Sequence, residues 1–382
     1  MPPDHAAPRL DVDRILADPG VRIIVCCGAG GVGKTTTAAA LALRAAERHG
    51  RRTVVLTIDP ARRLAQSLGL TELDNTPRPV KGINVEASGG ELHAMMLDMK
   101  RTFDEVVLAH TDPAKAAEIF ANPFYQAVSS TFAGTQEYMA MEKLGQLYAR
   151  GEWDLIVVDT PPSRSALDFL DAPARLSRFL DGRMLRLLLA PARAGGRSMF
   201  NLVTASFGLF SRAVQKIIGA QLLADLSGFV AALDSMFGGF RQRAEQTYRI
   251  LQARETAFLL VATPEPDAIR EAAYFARRLG DERMPLSGLV LNRVHRTAVP
   301  GLTAEQSLRA AAELSRLGGY EATADVLRVH AALAERTARE ERATAIFTEA
   351  FPSVPMVAVT AQPVDVHDVD GLRAIGAAVS GT

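Results

Sequence analysis

Gly28-Ala-Gly-Gly-Val-Gly-Lys-Thr-Thr36 places a lysine and two hydroxyls directly behind a run of small residues. It fits G-x-x-x-x-G-K-[ST], in which backbone N–H groups cradle phosphate oxygens. In that pattern the lysine reaches the β- and γ-phosphates and the next hydroxyl ligates Mg²⁺. Lys34 and Thr35 take those places. The expected nucleotide-binding loop is therefore Gly28, Ala29, Gly30, Gly31, Val32, Gly33, Lys34, Thr35 and Thr36. At average glycine usage such a match arises by chance on the order of once per hundred chains of this length. The ligand implied is ATP with Mg²⁺.

Three further polar residues end apolar runs. Asp159 closes Leu155-Ile-Val-Val-Asp159, where a carboxylate beside a phosphate loop can hold the metal directly or through water. The alternative, a helix N-cap, is the weaker reading next to such a loop. Asp59, in Thr57-Ile-Asp-Pro-Ala61, can position a water in line with the γ-phosphate and stands near the metal. Asp-Pro also opens helices well, and from spacing alone the two readings stand level. Asn292, ending Leu289-Val-Leu-Asn292, offers a donor and an acceptor suited to an adenine edge, or to a simple turn. His295, His330 and His367 show no ligand spacing and read as surface or structural. Ser163 and Ser165 lie near Asp159 without a histidine in a hydrolase pattern.

Positioning these residues requires strands that end on one rim. Strand-like runs recur at 21–27, 52–58, 92–97, 154–159, 257–262, 286–292 and 355–360, separated by helical patterns. Such alternation predicts an α/β fold, a doubly wound and mostly parallel sheet with helices on both faces. Ligands there bind beyond the carboxyl ends of the strands. Residues 1–18 read as an N-terminal extension and 19–382 as the P-loop domain. Residues 163–253 break the rhythm and predict an inserted helical subdomain; residues 302–350 predict a second helical segment, with charges that suit a solvated face.

Composition narrows the partners. Lys+Arg and Asp+Glu are equal at 43, with only six lysines, so no bulk charge favours nucleic acid or an anionic membrane. The two cysteines, Cys26 and Cys27, are adjacent on a predicted strand and point to opposite faces, which disfavours a bridge and leaves no cysteine zinc site. No signal peptide or transmembrane stretch is predicted, and the chain reads as cytoplasmic.

With these residues in place, the chain resembles the arsenite-pump and GET-pathway targeting ATPases, deviant-Walker P-loop proteins, and within them the actinobacterial branch. Gly28–Thr36 is similar to the loop G-K-G-G-x-G-K-[ST]-[ST] of that class. Thr57-Ile-Asp-Pro-Ala61 resembles its first switch, and Asp159-Thr-Pro-Pro-Ser163 its second. Gly134-Thr-Gln-Glu137 is similar to a P-G-x-x-E segment ahead of the second switch. Asn292 falls where the family's adenine-contacting asparagine lies, and Gln362-Pro363-Val364 where its C-terminal adenine loop lies. The resemblance spans roughly residues 20 to 380. It implies a Mg²⁺-dependent ATPase working as a dimeric switch, with a helical surface that in targeting members holds a hydrophobic helix. It also tips Asp59 towards catalysis.

Three departures qualify what the resemblance implies. Ala29 stands where the class has a signature lysine acting on the other subunit's phosphates. A related subunit that keeps the lysine would complete the site, so a heterodimer is favoured over a homodimer; Arg62, Arg63 and Arg164 are the candidate substitutes in this chain. Arg164 and Ser165 replace the usual Gly-His of the second switch. The zinc-binding and arsenite-binding thiols of other members are missing, which disfavours arsenite transport. The apolar residues of the insert, among them Met199, Phe200, Phe207, Phe210, Met236 and Phe237, suit a helix-bundle core first and a groove for a hydrophobic client second. A client-binding module with structural nucleotide and a small-molecule kinase are the competing functions.

Overall fold

The computed structural model describes residues 7–59, 63–123, 125, 126, 129, 135–161 and 242–381. They divide into two compact units. One contains the residues up to Met96, 150–161 and those from Ile250 onward; the other contains residues from Leu97 to Ala149 and those up to Arg249.

The first unit is built on an eight-stranded sheet. Its strands are β1 (Ile23–Cys27), β2 (Arg52–Thr57), β3 (Arg78–Pro79), β4 (Glu91–Met96), β5 (Leu155–Asp159), β6 (Thr256–Ala262), β7 (Leu286–Val294) and β8 (Met356–Thr360). The order is β3-β4-β2-β5-β1-β6-β7-β8. All neighbours are parallel except β3 with β4. The α/β reading holds, and each of the seven expected strands lies within two residues of its predicted bounds. The antiparallel β3 was not expected. β1, β5 and β6 are buried along their whole length, as strands covered on both faces must be.

Helices α1 (Val12–Ala17), α2 (Lys34–His49) and α3 (Arg63–Ser67) belong to this unit. Six alanines between Ala38 and Ala46 let α2 lie close on the sheet, and every residue of that stretch except Arg44 is buried. The extension before β1 is tied in at two places. Leu10 N–H donates to Met356 O at 3.0 Å and Met356 N–H to Pro8 O at 2.7 Å. Arg51, 6% exposed, donates to the carbonyls of Leu16, Asp18, Val21 and Asp154, fastening α1 and the turns before β1 and β5.

The second unit contains α4 (Met99–His110), α5 (Pro113–Ala121), α6 (Thr135–Arg150, whose last residue falls in the first unit) and a helical stretch from 242. Asp98 and Asp112 cap α4 and α5 through the N–H groups of Arg101 and Lys115, with Pro113 opening α5. Lys143 pairs with Glu105 at 2.9 Å, and Arg243 with Glu142 at 2.9 Å. Of the predicted insert 163–253, only residues from 242 are described, and they are helical to 252. The apolar groove residues, Arg164, Ser163 and Ser165 lie outside the described residues, as do Arg62, Gly134 and the side chains of residues 135–137.

Returning to the first unit, α7 (Pro266–Asp281), α8 (Ala304–Leu317), α9 (Glu321–Ala350) and α10 (Val369–Ser380) complete it. The second helical segment is thus two helices. A capping box of Thr303 and Gln306 starts α8, and Gly318-Gly319 separates it from the 30-residue α9. Arg373 of α10 grips Glu47 of α2 at 2.7 Å and the Gly82 carbonyl at 2.8 Å.

On α1, the Asp13 carboxylate accepts two 2.7 Å bonds from Arg44 and faces His49 Nε2 at 3.0 Å. The Arg44 hydrogen bonds, helped by His49 and opposed by burial, hold its pKa well below the carboxylate range. A depressed carboxylate pKa contributes stability above the unfolded-state value and loses it as pH falls below about 4. With Asp13 about a third exposed, Asp13→Asn should cost about 1 kcal/mol at pH 7, and the difference should shrink towards pH 3. Urea titrations at both pH values check this; an equal cost at both would remove the ionic contribution.

Candidate functional site

Parallel register assembles the site. β5 lies between β1 and β2, and Asp159 is in register with Cys26 on one side and Thr57 on the other. Strand-end side chains from three strands therefore meet under the loop that joins β1 to α2. Asp159 is fully buried, and its Oδ2 accepts from Thr35 Oγ1 at 2.8 Å and from Thr57 Oγ1 at 2.9 Å. Its Oδ1 is buried with no hydrogen-bond partner among the described residues. Burial pushes the Asp159 pKa up to about 6, against the two threonine hydrogen bonds and the nearby Lys34 charge. Thr160 fixes the strand end by donating its Oγ1 to Cys26 O at 2.7 Å. Both cysteines are buried and unbridged.

The loop is shaped by its glycines at two places where no side chain fits. A Cβ on Gly28, at φ +154°, would lie 2.0 Å from the Val261 carbonyl of β6. On Gly33, at φ +96°, it would lie 2.3 Å from Asn292 Nδ2. Both distances are far inside van der Waals contact, so the loop sits against β6 and β7 because these positions are glycine. Lys34 is 6% exposed and donates its Nζ to Ala29 O at 2.7 Å, folded back over its own loop. Burial lowers its pKa; the Asp159 charge is the largest opposing influence.

Gly31, Gly33, Lys34, Thr35 and Thr36 open into a cleft of about 740 Å³. Its walls include Asp59, Arg63, Thr160, Glu265, Asn292, Arg293, His295, Arg336, Glu340, Gln362, Val364 and His367. Most of the expected residues thus share one cavity. Gly28, Ala29 and Val32 are buried beneath it, Gly30 is exposed at the loop's turn, and Pro363 is exposed beside it without lining it. Asp59 is partly buried, and its N–H donates to Thr57 Oγ1 at 3.2 Å. Asn292 donates Nδ2 to Val32 O at 2.8 Å, so the amide expected at a base also braces the loop.

Several residues at the site carried no functional expectation. Thr57 was visible only as the first residue of Thr57-Ile-Asp-Pro-Ala61; its bond to Asp159 follows from strand order. His295 is not a bare surface histidine: its Nδ1 and backbone N–H meet Glu340 Oε1 and Oε2, each at 2.8 Å, and Arg336 joins Glu340 at 3.0 Å. Only the return of α9 to the cleft brings these together, and spacing along the chain gives no sign of it.

The set fits a magnesium nucleotide. A buried carboxylate oxygen without a donor, beside a threonine hydroxyl and a lysine, is what a metal-bound water and a phosphate would satisfy. The loop at a helix N-terminus supplies backbone N–H groups for the phosphates.

Comparison with known proteins agrees. Residues 21–300 match the family model described as Anion-transporting ATPase. The chain is 24% identical over 284 residues to ATPase ASNA1 homolog 2 of Paramecium tetraurelia, covering 73% of this chain and 78% of that protein. It is 28% identical over 169 residues to ATPase GET3 of Malassezia globosa, covering 44% and 47%. It is 32% identical over 168 residues to a putative arsenical pump-driving ATPase of Prosthecochloris vibrioformis, covering 41% and 37%, so it spans less than half the length of these last two. With the loop, the strand-end carboxylates and the sheet order all in agreement, the chain belongs to the anion-transporting ATPase family, a family of enzymes that hydrolyse ATP.

Proposed function

We propose that this chain is a Mg²⁺-dependent ATPase that works as a dimeric conformational switch. The observation that carries the reading is the buried Asp159 carboxylate, with one oxygen on Thr35 and Thr57 and the other lacking a donor. Thr35 and Asp159 would hold the metal, with Asp59 near it. Bound Mg²⁺ would supply charge neutralisation at the phosphates. Lys34, bonded to the Ala29 carbonyl, would exchange it for a phosphate oxygen. Asn292, Gln362, Pro363 and Val364 are assigned to the base end.

Asp59 is assigned to orient the attacking water and accept its proton. Its N–H bond to Thr57 Oγ1, the hydroxyl that also serves Asp159, couples the second strand to the metal-side carboxylate. Breaking that order between nucleotide states is how one site would move a larger surface. A hydrophobic protein client is assigned to the apolar sequence of 163–253. A cytoplasmic location is assigned with it.

Ala29 is 8% exposed and offers only its backbone carbonyl to Lys34. Its methyl group can give no charge to a neighbouring subunit. The proposal is therefore a heterodimer in which a related subunit supplies the lysine to this chain's site.

Two outcomes are expected. Asp59→Asn should retain ATP affinity while single-turnover hydrolysis slows by about 10²-fold or more. Near-normal turnover with a loss of about 1 kcal/mol of stability would instead make Asp59 a helix cap. The chain purified alone should turn over slowly, and Ala29→Lys should accelerate it at least about tenfold, since a charge donated across a phosphoryl-transfer site changes rate by orders of magnitude. Brisk turnover by the unmodified chain, unaltered by the lysine, would mean that no donated charge is needed.

A further inference from the structure

Arg293 follows Asn292 at the end of β7 and has a backbone φ of +60°. That left-handed region is rarely occupied by residues with a Cβ, and such positions persist where the surroundings demand them. Here the pairing of β7 with β8 shifts between Leu291 and Val294, so the strand is irregular at this pair. The Asn292 Oδ1 accepts the Arg293 N–H at 2.9 Å and locks the bend. The bend sends the guanidinium to the phosphate loop, where NH1 donates to Gly31 O at 3.1 Å. Consecutive side chains of β7 thus hold consecutive carbonyls of the loop, Asn292 on Val32 and Arg293 on Gly31.

The neighbours of Arg293 say which part of a nucleotide it can meet. Lys34 and Thr35 are assigned to the phosphates and the metal, whereas Arg293 adjoins Asn292, assigned above to the base end. Arg293 is exposed and lines the cleft together with Asn292, Gln362 and Val364. No carboxylate pairs with it among the described residues, whereas the nearby Arg336 is paired with Glu340. A guanidinium tethered along one edge keeps its planar face for stacking on an aromatic ring.

We propose that Arg293 covers the base subsite: its guanidinium stacks on the purine while its NH1 ties that subsite to the phosphate loop. The role is one of binding and positioning, and it rests on the nucleotide site described above. Binding of the base then orders the loop that holds the phosphates.

The test is titration calorimetry of the full chain with Mg²⁺ and ATP, ADP or inorganic tripolyphosphate. Arg293→Ala and Arg293→Gly are compared with the unaltered protein, with thermal melts of each. Glycine accommodates the left-handed backbone, so it removes the side chain without the strain that alanine keeps. Both variants should bind ATP and ADP about tenfold more weakly, while tripolyphosphate affinity stays within about threefold. ATP affinity unchanged in the folded glycine variant would overturn the proposal. So would a loss for tripolyphosphate as large as that for ATP, which would place the guanidinium on the phosphates. Failure of the unaltered protein to bind ATP would instead remove the nucleotide site itself, and the inference with it.

Discussion

A carboxylate with almost no solvent exposure is costly in any fold, and Asp159 is placed where the cost is highest. Three strands crowd it, burial raises its pKa to about 6, and two threonine hydroxyls satisfy only one of its oxygens. The sheet order is what brings its hydrogen-bond partners to this residue. Only with β5 between β1 and β2 can one side chain meet Thr35 above and Thr57 alongside. A fold optimised for stability alone would put an apolar residue there. Retaining the charge makes sense for a site whose missing donor arrives with the ligand.

The second constraint is the grip on the phosphate loop. Val261 of β6 passes so close to Gly28 that no Cβ fits between them. Asn292 and Arg293 of β7 hold the next turn. The loop therefore depends on β7 residues 260 and 262 positions further along the chain than the carbonyls they hold. On the proposed reading, the base end of the cleft and its phosphate end would share these supports, which would give nucleotide binding a direct route into the order of the sheet rim.

Much of this was legible beforehand, for a physical reason. Parallel strands buried on both faces must be nearly all apolar, so a polar residue at the carboxyl end stands out: Asp59, Asp159 and Asn292 were all found that way. The loop was legible because Gly28, Gly33, Lys34 and Thr35 are fixed in type by backbone clearance and by charge. Less visible were features made by register or by distant approach. β3 has two residues, one of them proline, and carries no periodicity. Thr57 needed the strand order, Arg293 needed the irregular end of β7, and Arg51 collects carbonyls from α1 and from the two turns before β1 and β5. The pairing of His295 with Glu340 needed α9 to return to the cleft. Cys26 and Cys27 behaved as adjacent strand residues should, buried and unbridged.

The central claim is that the unpartnered oxygen of Asp159 and the Thr35 hydroxyl form a magnesium site. The direct measurement is a crystal structure of the full chain with Mg²⁺ and a non-hydrolysable ATP analogue. The expected result is a metal ion on the Thr35 hydroxyl, with Asp159 Oδ1 bonded to it directly or through one of its waters, and Lys34 moved from the Ala29 carbonyl to a phosphate oxygen. A bound nucleotide with Thr35 still donating to Asp159, Lys34 still on Ala29 and no metal between them would contradict it.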